Sequence, residues 1–171
     1  MTAEEPIKCY KVVKKTAGDR GEPEYRAYFA YNDVEYKIGE TFKEGNPFTR
    51  SPYGSIESGL HTFSAECNGA RSLYVYAMQR RNHFKKKEKF ASPSEKCFYR
   101  GLMHDVALLE CQIPAGARYY KGQCNCLSYY GDEELDQAGY VSDMLTPIRE
   151  LSPDEIAQMP YVYIRYDNHQ Y

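Results

Sequence analysis

From Lys8 to Ile38 the apolar and polar positions fall into three short bursts, each bounded by turn-forming residues. Lys8–Lys14 and Tyr25–Tyr31 are rich in strand formers, and the Gly18–Pro23 segment between them is dense in turn residues, so the spacing predicts a hairpin. Asn32–Asp33 turns the chain again, Val34–Ile38 continues as a third strand of an antiparallel meander, and Gly39 ends it. The Gly, Pro, Asn and Ser residues from Glu40 to Ser58, with Phe42 and Phe48 as anchors, predict a long loop.

Gly59–Phe63 reads as a short strand handing over to an amphipathic helix. Ser64 takes the N-cap position, and Ala70, Leu73, Tyr74 and Ala77 share one helical face that packs on a sheet. Gly69 weakens that helix by about 1 kcal/mol relative to alanine. The basic run Arg80–Lys89 reads as a solvated loop after the helix. Val106–Ile113 is a strand with Ala107, Leu109, Cys111 and Ile113 on one face, and Pro114–Gly116 turns the chain into an extended Ala117–Gly122. Asp132–Glu134 marks a loop, and Tyr140–Ile148 a strand cut short by Pro147. Ser152-Pro153-Asp154-Glu155 carries a complete helix-start signature, with Pro160 ending that helix and Tyr161–Tyr166 forming a last strand. The whole is a single α+β domain over 1–171: a twisted, mostly antiparallel sheet of roughly six or seven strands, one principal helix from Ser64 and one short helix from Ser152.

Composition sharpens this outline. Eighteen tyrosines and no tryptophan favour half-buried sheet faces, where the ring packs and the hydroxyl reaches a polar partner. Twenty-two basic against twenty-four acidic side chains leave a net charge of -2, too balanced for whole-surface attraction to nucleic acid. Nucleic acid is therefore not an expected partner, and Arg80–Lys89 is the one local patch where phosphate contact is conceivable. Met1–Pro6 lacks a basic segment followed by an apolar one, and no apolar run matches a bilayer, so a cytoplasmic protein without a membrane partner is expected. The six cysteines are irregularly spaced and read as free thiols. Cys124-Asn125-Cys126, with Cys97 and Cys111, departs from the knuckle spacing of a zinc site, so no metal is assigned.

Four residues emerge as candidate ligand contacts. His61 stands beside a helix start, where backbone donors suit an anion. Tyr74 lies on the packed helical face. Glu110 is the acid embedded in an apolar strand, where desolvation raises a carboxyl pKa, although an exposed sheet face accounts for it more simply. Asp143 closes the Val141-Ser142-Asp143 segment. No nucleophile elbow, paired cysteine and histidine, or phosphate-cradling glycine loop is present, so no catalytic residue and no cofactor is assigned.

Gly59-Leu60-His61-Thr62-Phe63 followed by Ala70 and Tyr74 resembles the strand-helix segment that lines the nicotinamide pocket of ADP-ribosyltransferase-like domains. That resemblance implies an arginine or histidine on the first strand and a glutamate on a late strand. The chain has Tyr10-Lys11 and Tyr140–Asp143 instead, which implies a pocket from which the nicotinamide chemistry has been lost. Over most of its length, through Tyr36-Lys37-Ile38-Gly39-Glu40, Gly59–Phe63 and Val141-Ser142-Asp143, the chain also resembles small bacterial and phage domains to which no activity is attached. Two functions follow: a non-catalytic binding or protein-interaction domain of bacterial or phage type, or an enzyme using NAD or a related nucleotide. In the second, His61 and Tyr74 line the pocket, and Glu110 or Asp143 replaces the missing glutamate.

Overall fold

The computed structural model describes residues 1–28, 34–45, 48, 59–96, 103–123 and 138–162. Its spine is β1 (Ile7–Ala17), and the strand formers of that segment extend three residues past the predicted end. β1 turns through a short loop into β2 (Pro23–Ala27), which pairs with β3 (Glu35–Tyr36), so the predicted meander forms. On the other side of β1 lies β6 (Asp105–Ile113), in a register that runs unbroken from Ile7 opposite Ile113 to Lys15 opposite Asp105.

The remaining strands are β4 (Phe42–Lys43), β5 (Leu60–Ser64), β7 (Tyr119–Gln123), β8 (Ala138–Ser142) and β9 (Met144–Glu150). All pairings are antiparallel, in the order β4-β9-β6-β1-β5-β8-β7, with β2 also beside β1. β1 meets β5 at Cys9 and Tyr10 and meets β2 from Val13 onward, so its neighbours on this side divide at Lys11 and Val12.

The connection at Asp143 dictates the shape of this sheet. β8 and β9 lie on opposite sides of β1 in strand order, yet a single residue joins them. A flat sheet spaces neighbouring strands about 4.8 Å apart, so one residue spans that gap only if the sheet curls and brings its two halves together. The chain start reinforces the curl: the Ala3 N–H donates to the Ala117 carbonyl at 2.9 Å and the Gly116 N–H to the Ala3 carbonyl at 2.8 Å.

Curling gives the sheet two buried faces. Inside it, Cys9, Val13, Leu60, Ala107, Leu109, Cys111, Ile113 and Leu145 form one apolar cluster. Outside, Val12, Phe63, Val106 and Leu108 pack against Ala70, Leu73, Tyr76 and Ala77 of α1 (Gly69–Glu88). α1 lies mainly over β6 and β1 and meets β5 less extensively, around Phe63. The face predicted for Ala107, Leu109, Cys111 and Ile113 is the inner one, and the alternate residues Val106 and Leu108 are buried as well. A strand covered on both sides reads as a continuous apolar run.

Several sequence expectations change. α1 starts at Gly69 behind Asn68, whose side chain makes no capping bond. Ser64 stays in β5 opposite Cys9, and its hydroxyl accepts the Glu66 N–H at 3.3 Å within the intervening turn. Strand pairing thus holds the residue that local chemistry favours as a cap. Arg80–Glu88 is helical, not a loop: Phe84 is buried and anchors the last two turns. Pro147 does not end its strand, because β9 continues to Glu150 with a register shift at Glu110/Cys111 facing the proline. The short β4 lies inside the predicted long loop. The signature at Ser152 forms in full, starting α2 (Pro153–Gln158): Ser152 accepts the Glu155 N–H and Glu155 accepts the Ser152 N–H. The expectations for 124–134 and 163–166 lie outside the described residues.

Gly59 enters β5 at φ +122°, where a Cβ would stand 2.5 Å from Val141 Cγ1 and 2.9 Å from Phe48 Cε1. Strain and overpacking each cost on the order of 1–3 kcal/mol. Gly59→Ala is therefore expected to lower unfolding free energy by about 2 kcal/mol or more in urea titrations. Wild-type stability in that variant would show that the Phe48–Gly59–Val141 contact is not closely packed.

Candidate functional site

Alternation along β5 decides where His61 points. Leu60, Thr62 and Ser64 share the parity of the inner face, so His61 and the buried Phe63 take the outer one. His61 is opposite Val141, and Val141 is opposite Tyr120, giving a half-buried row across β5, β8 and β7. Phe48 packs edge-on against Tyr120 with ring centroids 5.1 Å apart, and the Arg118 guanidinium lies 5.5 Å from the Phe48 ring. The His61 carbonyl accepts a bond from Lys11 Nζ at 2.7 Å, which closes the fork where β5 and β2 diverge from β1.

Asp143 occupies the corner between β8 and β9. Its carboxylate accepts the Arg118 backbone N–H at 2.8 Å and Arg118 Nε at 2.9 Å. Its own N–H donates to the Arg118 carbonyl and its carbonyl accepts from the Glu44 N–H. This carboxylate braces the turn that the curled sheet requires. Arg118, through Phe48, also joins the corner to the His61 row.

Glu110 belongs elsewhere. It points away from the inner face and pairs with Lys8 at 3.2 Å and Arg149 at 2.8 Å, while Arg149 also holds Glu155. Arg149 is six residues along from Asp143, about 20 Å of extended strand. Tyr74 is half-buried against the α1 cluster, and burial first, then the charge of Glu150, raises its pKa. Arg81 and Lys15 oppose that rise. Tyr74 therefore lies within the field of the Lys15–Glu150 end of β1, whereas Glu110 and Asp143 are each held by cations of their own.

A polar cluster on the inner side of that end had no local signal among the residues. Lys15 Nζ lies 2.8 and 2.7 Å from the two Glu150 carboxylate oxygens, and the Tyr25 hydroxyl donates to Glu150 Oε2 at 2.7 Å. The lysine also stands 6.0 Å from the Tyr25 ring centroid. Tyr25 is only 6% exposed. Desolvation, then its hydrogen bond to the Glu150 carboxylate and that group's charge, push its pKa up to about 12. The Tyr25 phenol and the Lys15 ammonium both bond the Glu150 carboxylate, so the cluster links β1, β2 and β9. Lysines on both faces of β1, at Lys8, Lys11, Lys14 and Lys15, mask any alternation that would have revealed it.

The inner thiols are unreactive. Cys9 and Cys111 are directly opposite across β1 and β6, and burial pushes Cys9 up to about 11 and Cys111 higher still. A thiol is a nucleophile or metal ligand only as thiolate. Among the described residues no group of three His, Cys, Asp or Glu side chains is placed to hold a metal ion. Cys97, Cys124 and Cys126 lie outside them. Two further contacts tie the segment after α2 to α1: Arg71 donates to the Met159 carbonyl at 2.7 Å, and buried Ser72 exchanges bonds with the Val162 backbone.

Compared with protein-family models, curated proteins and solved structures, the chain matches none of them.

The Tyr25 cluster sets an alkaline limit. Its pKa is raised on folding, so its stabilisation is complete below the unfolded value of about 10 and is lost as pH rises through about 12. Tyr25→Phe is expected to lose about 1–2 kcal/mol at pH 8, with the gap to wild type in urea titrations closing as pH approaches 12. A gap that stays constant to that pH would show that the phenol does not govern it.

Proposed function

We propose that this chain is a non-catalytic binding domain whose contact surface is the row His61, Val141 and Tyr120, with Phe48 edge-on beside it. One observation carries this reading: the acids that might perform chemistry already have structural work. Glu110 is held between Lys8 and Arg149, Asp143 by Arg118, and Glu150 by Lys15 and Tyr25. General acid–base chemistry needs a group that is both poised near working pH and within reach of substrate. A carboxylate fixed by two partners as a sheet brace is poorly suited to that role.

The row supports contact instead. Tyr and His present an apolar body with a polar edge, the composition from which protein contact sites draw much of their energy. α1 makes most of its sheet contacts with β6 and β1 rather than with the strands of this row. The partner that fits is a protein surface offering apolar atoms to Val141 and to the ring bodies beside it.

Thermal melting with NAD, ADP-ribose, other nucleotides and zinc tests the reading. A specific ligand at a hundred times its dissociation constant adds about 2.7 kcal/mol, a rise of several degrees for a domain of this size. The binding-domain reading predicts no rise. It also predicts a captured protein whose retention is lost in His61→Ala/Tyr120→Ala while that variant still melts cooperatively as a folded domain. Consumption of NAD or another nucleotide, abolished by His61→Ala, would instead establish the transferase-like enzyme.

A further inference from the structure

We propose that the C-terminal end of α1 binds single-stranded nucleic acid, with Lys85, Lys86, Lys87 and Lys89 neutralising phosphates and Phe90 stacking on a base. Residues 80–96 carry seven cations and two acids, a net +5 in a chain of -2, so the remainder carries -7. The positive charge is thus concentrated on one helical end. Lys85, Lys86, Lys87 and Lys89 are exposed, whereas Arg81 is tied to Asp105 and Arg80 lies over the Phe84 ring. The lysine field acts locally: after burial, Lys87 and Lys86 are the next causes that lower the His83 pKa.

A helix C-terminus favours lysines through its dipole, which gives these cations an ordinary structural reason. It gives none for Phe90, which is 91% exposed while Phe84, two turns of side chain below it, is 3% exposed. The backbone beneath the ring is fixed by bonds from the Phe90 N–H to the Lys87 carbonyl and from the Ala91 N–H to the Glu88 carbonyl. An aromatic face among lysines is the pairing that single strands use, because unpaired bases have free π faces.

The geometry distinguishes this partner from other polyanions. An interfacial membrane helix needs its apolar face for lipid, but Ala70, Leu73, Ala77 and Phe84 are already buried beneath α1. Bases within a duplex are stacked on each other and offer Phe90 no face.

Anisotropy of a labelled single-stranded oligonucleotide of mixed sequence, about 15 nucleotides long, between about 50 and 200 mM salt tests this. Four phosphate contacts predict a slope of log K against log salt of about -3. Phe90→Ala is expected to weaken binding about five- to a hundredfold with the slope unchanged. Lys85→Gln/Lys86→Gln/Lys87→Gln should flatten the slope to about -0.7. A duplex of the same sequence should bind about five- to a hundredfold more weakly, the worth of the lost stacking. All four side chains are exposed, so unchanged melting temperatures confirm that the variants fold. No binding at 50 mM salt, equal binding by Phe90→Ala, equal binding of duplex, or uptake by phosphatidylserine vesicles in place of the oligonucleotide would each overturn the proposal.

Discussion

Burying both faces of β1 and β6 at once is the constraint from which the rest of the architecture follows. Cys9, Val13, Leu109, Cys111 and Ile113 face inward, while Val12, Val106 and Leu108 face α1. One helix covers only the outer side. Among the described residues the inner side is covered by the sheet itself, which curls, and Asp143 sits where consecutive residues belong to opposite halves. Apolar burial contributes roughly 25 cal/mol per Å², and this arrangement doubles the apolar surface that one central strand pair can bury. The ionic contacts are placed at its margins: Lys15–Glu150–Tyr25 at one end of β1, Lys8–Glu110–Arg149 toward the other, and Arg118–Asp143 at the corner.

That division explains what could be read from the residues. The β1–β2–β3 meander, β6, the face of α1 and the capping box at Ser152 are local patterns, set by alternation, turn residues and helix-start chemistry. The start of α1 was misread because Ser64 is an ideal cap by type but is claimed by pairing with Cys9, a contact 55 positions away in the chain. Pro147 was misread as a terminator because the register shift opposite it in β6 depends on a partner that the local sequence does not disclose. The curl itself has one trace in the sequence. Val106–Leu109 is apolar at every position, the mark of a strand covered on both sides.

The site was less legible than the fold. His61, Glu110 and Asp143 were singled out by type and local setting, yet their roles depend on cross-strand partners: Val141 for His61, Lys8 and Arg149 for Glu110, Arg118 for Asp143. The Tyr25–Glu150 bond joins residues 125 positions apart and had no local signal. The carboxylates serve as braces between strands, and His61, Val141 and Tyr120 form a half-buried row across β5, β8 and β7. The basic run is likewise more ordered than its composition implied, because buried Phe84 holds it in the helix and leaves Phe90 at an exposed tip.

Native-state hydrogen exchange tests the central claim most directly, since it reads the opening free energy of each strand separately. If burial on both faces makes β1 and β6 the spine, the amides of Val12, Val13, Leu108 and Leu109 exchange only through global unfolding. Those of β3 and β4, which are short and lie at the sheet's margins, exchange through smaller openings. Exchange of β1 and β6 amides at a lower free energy than those of β7 or β8 would contradict the account, because the structure would then be held from its edges.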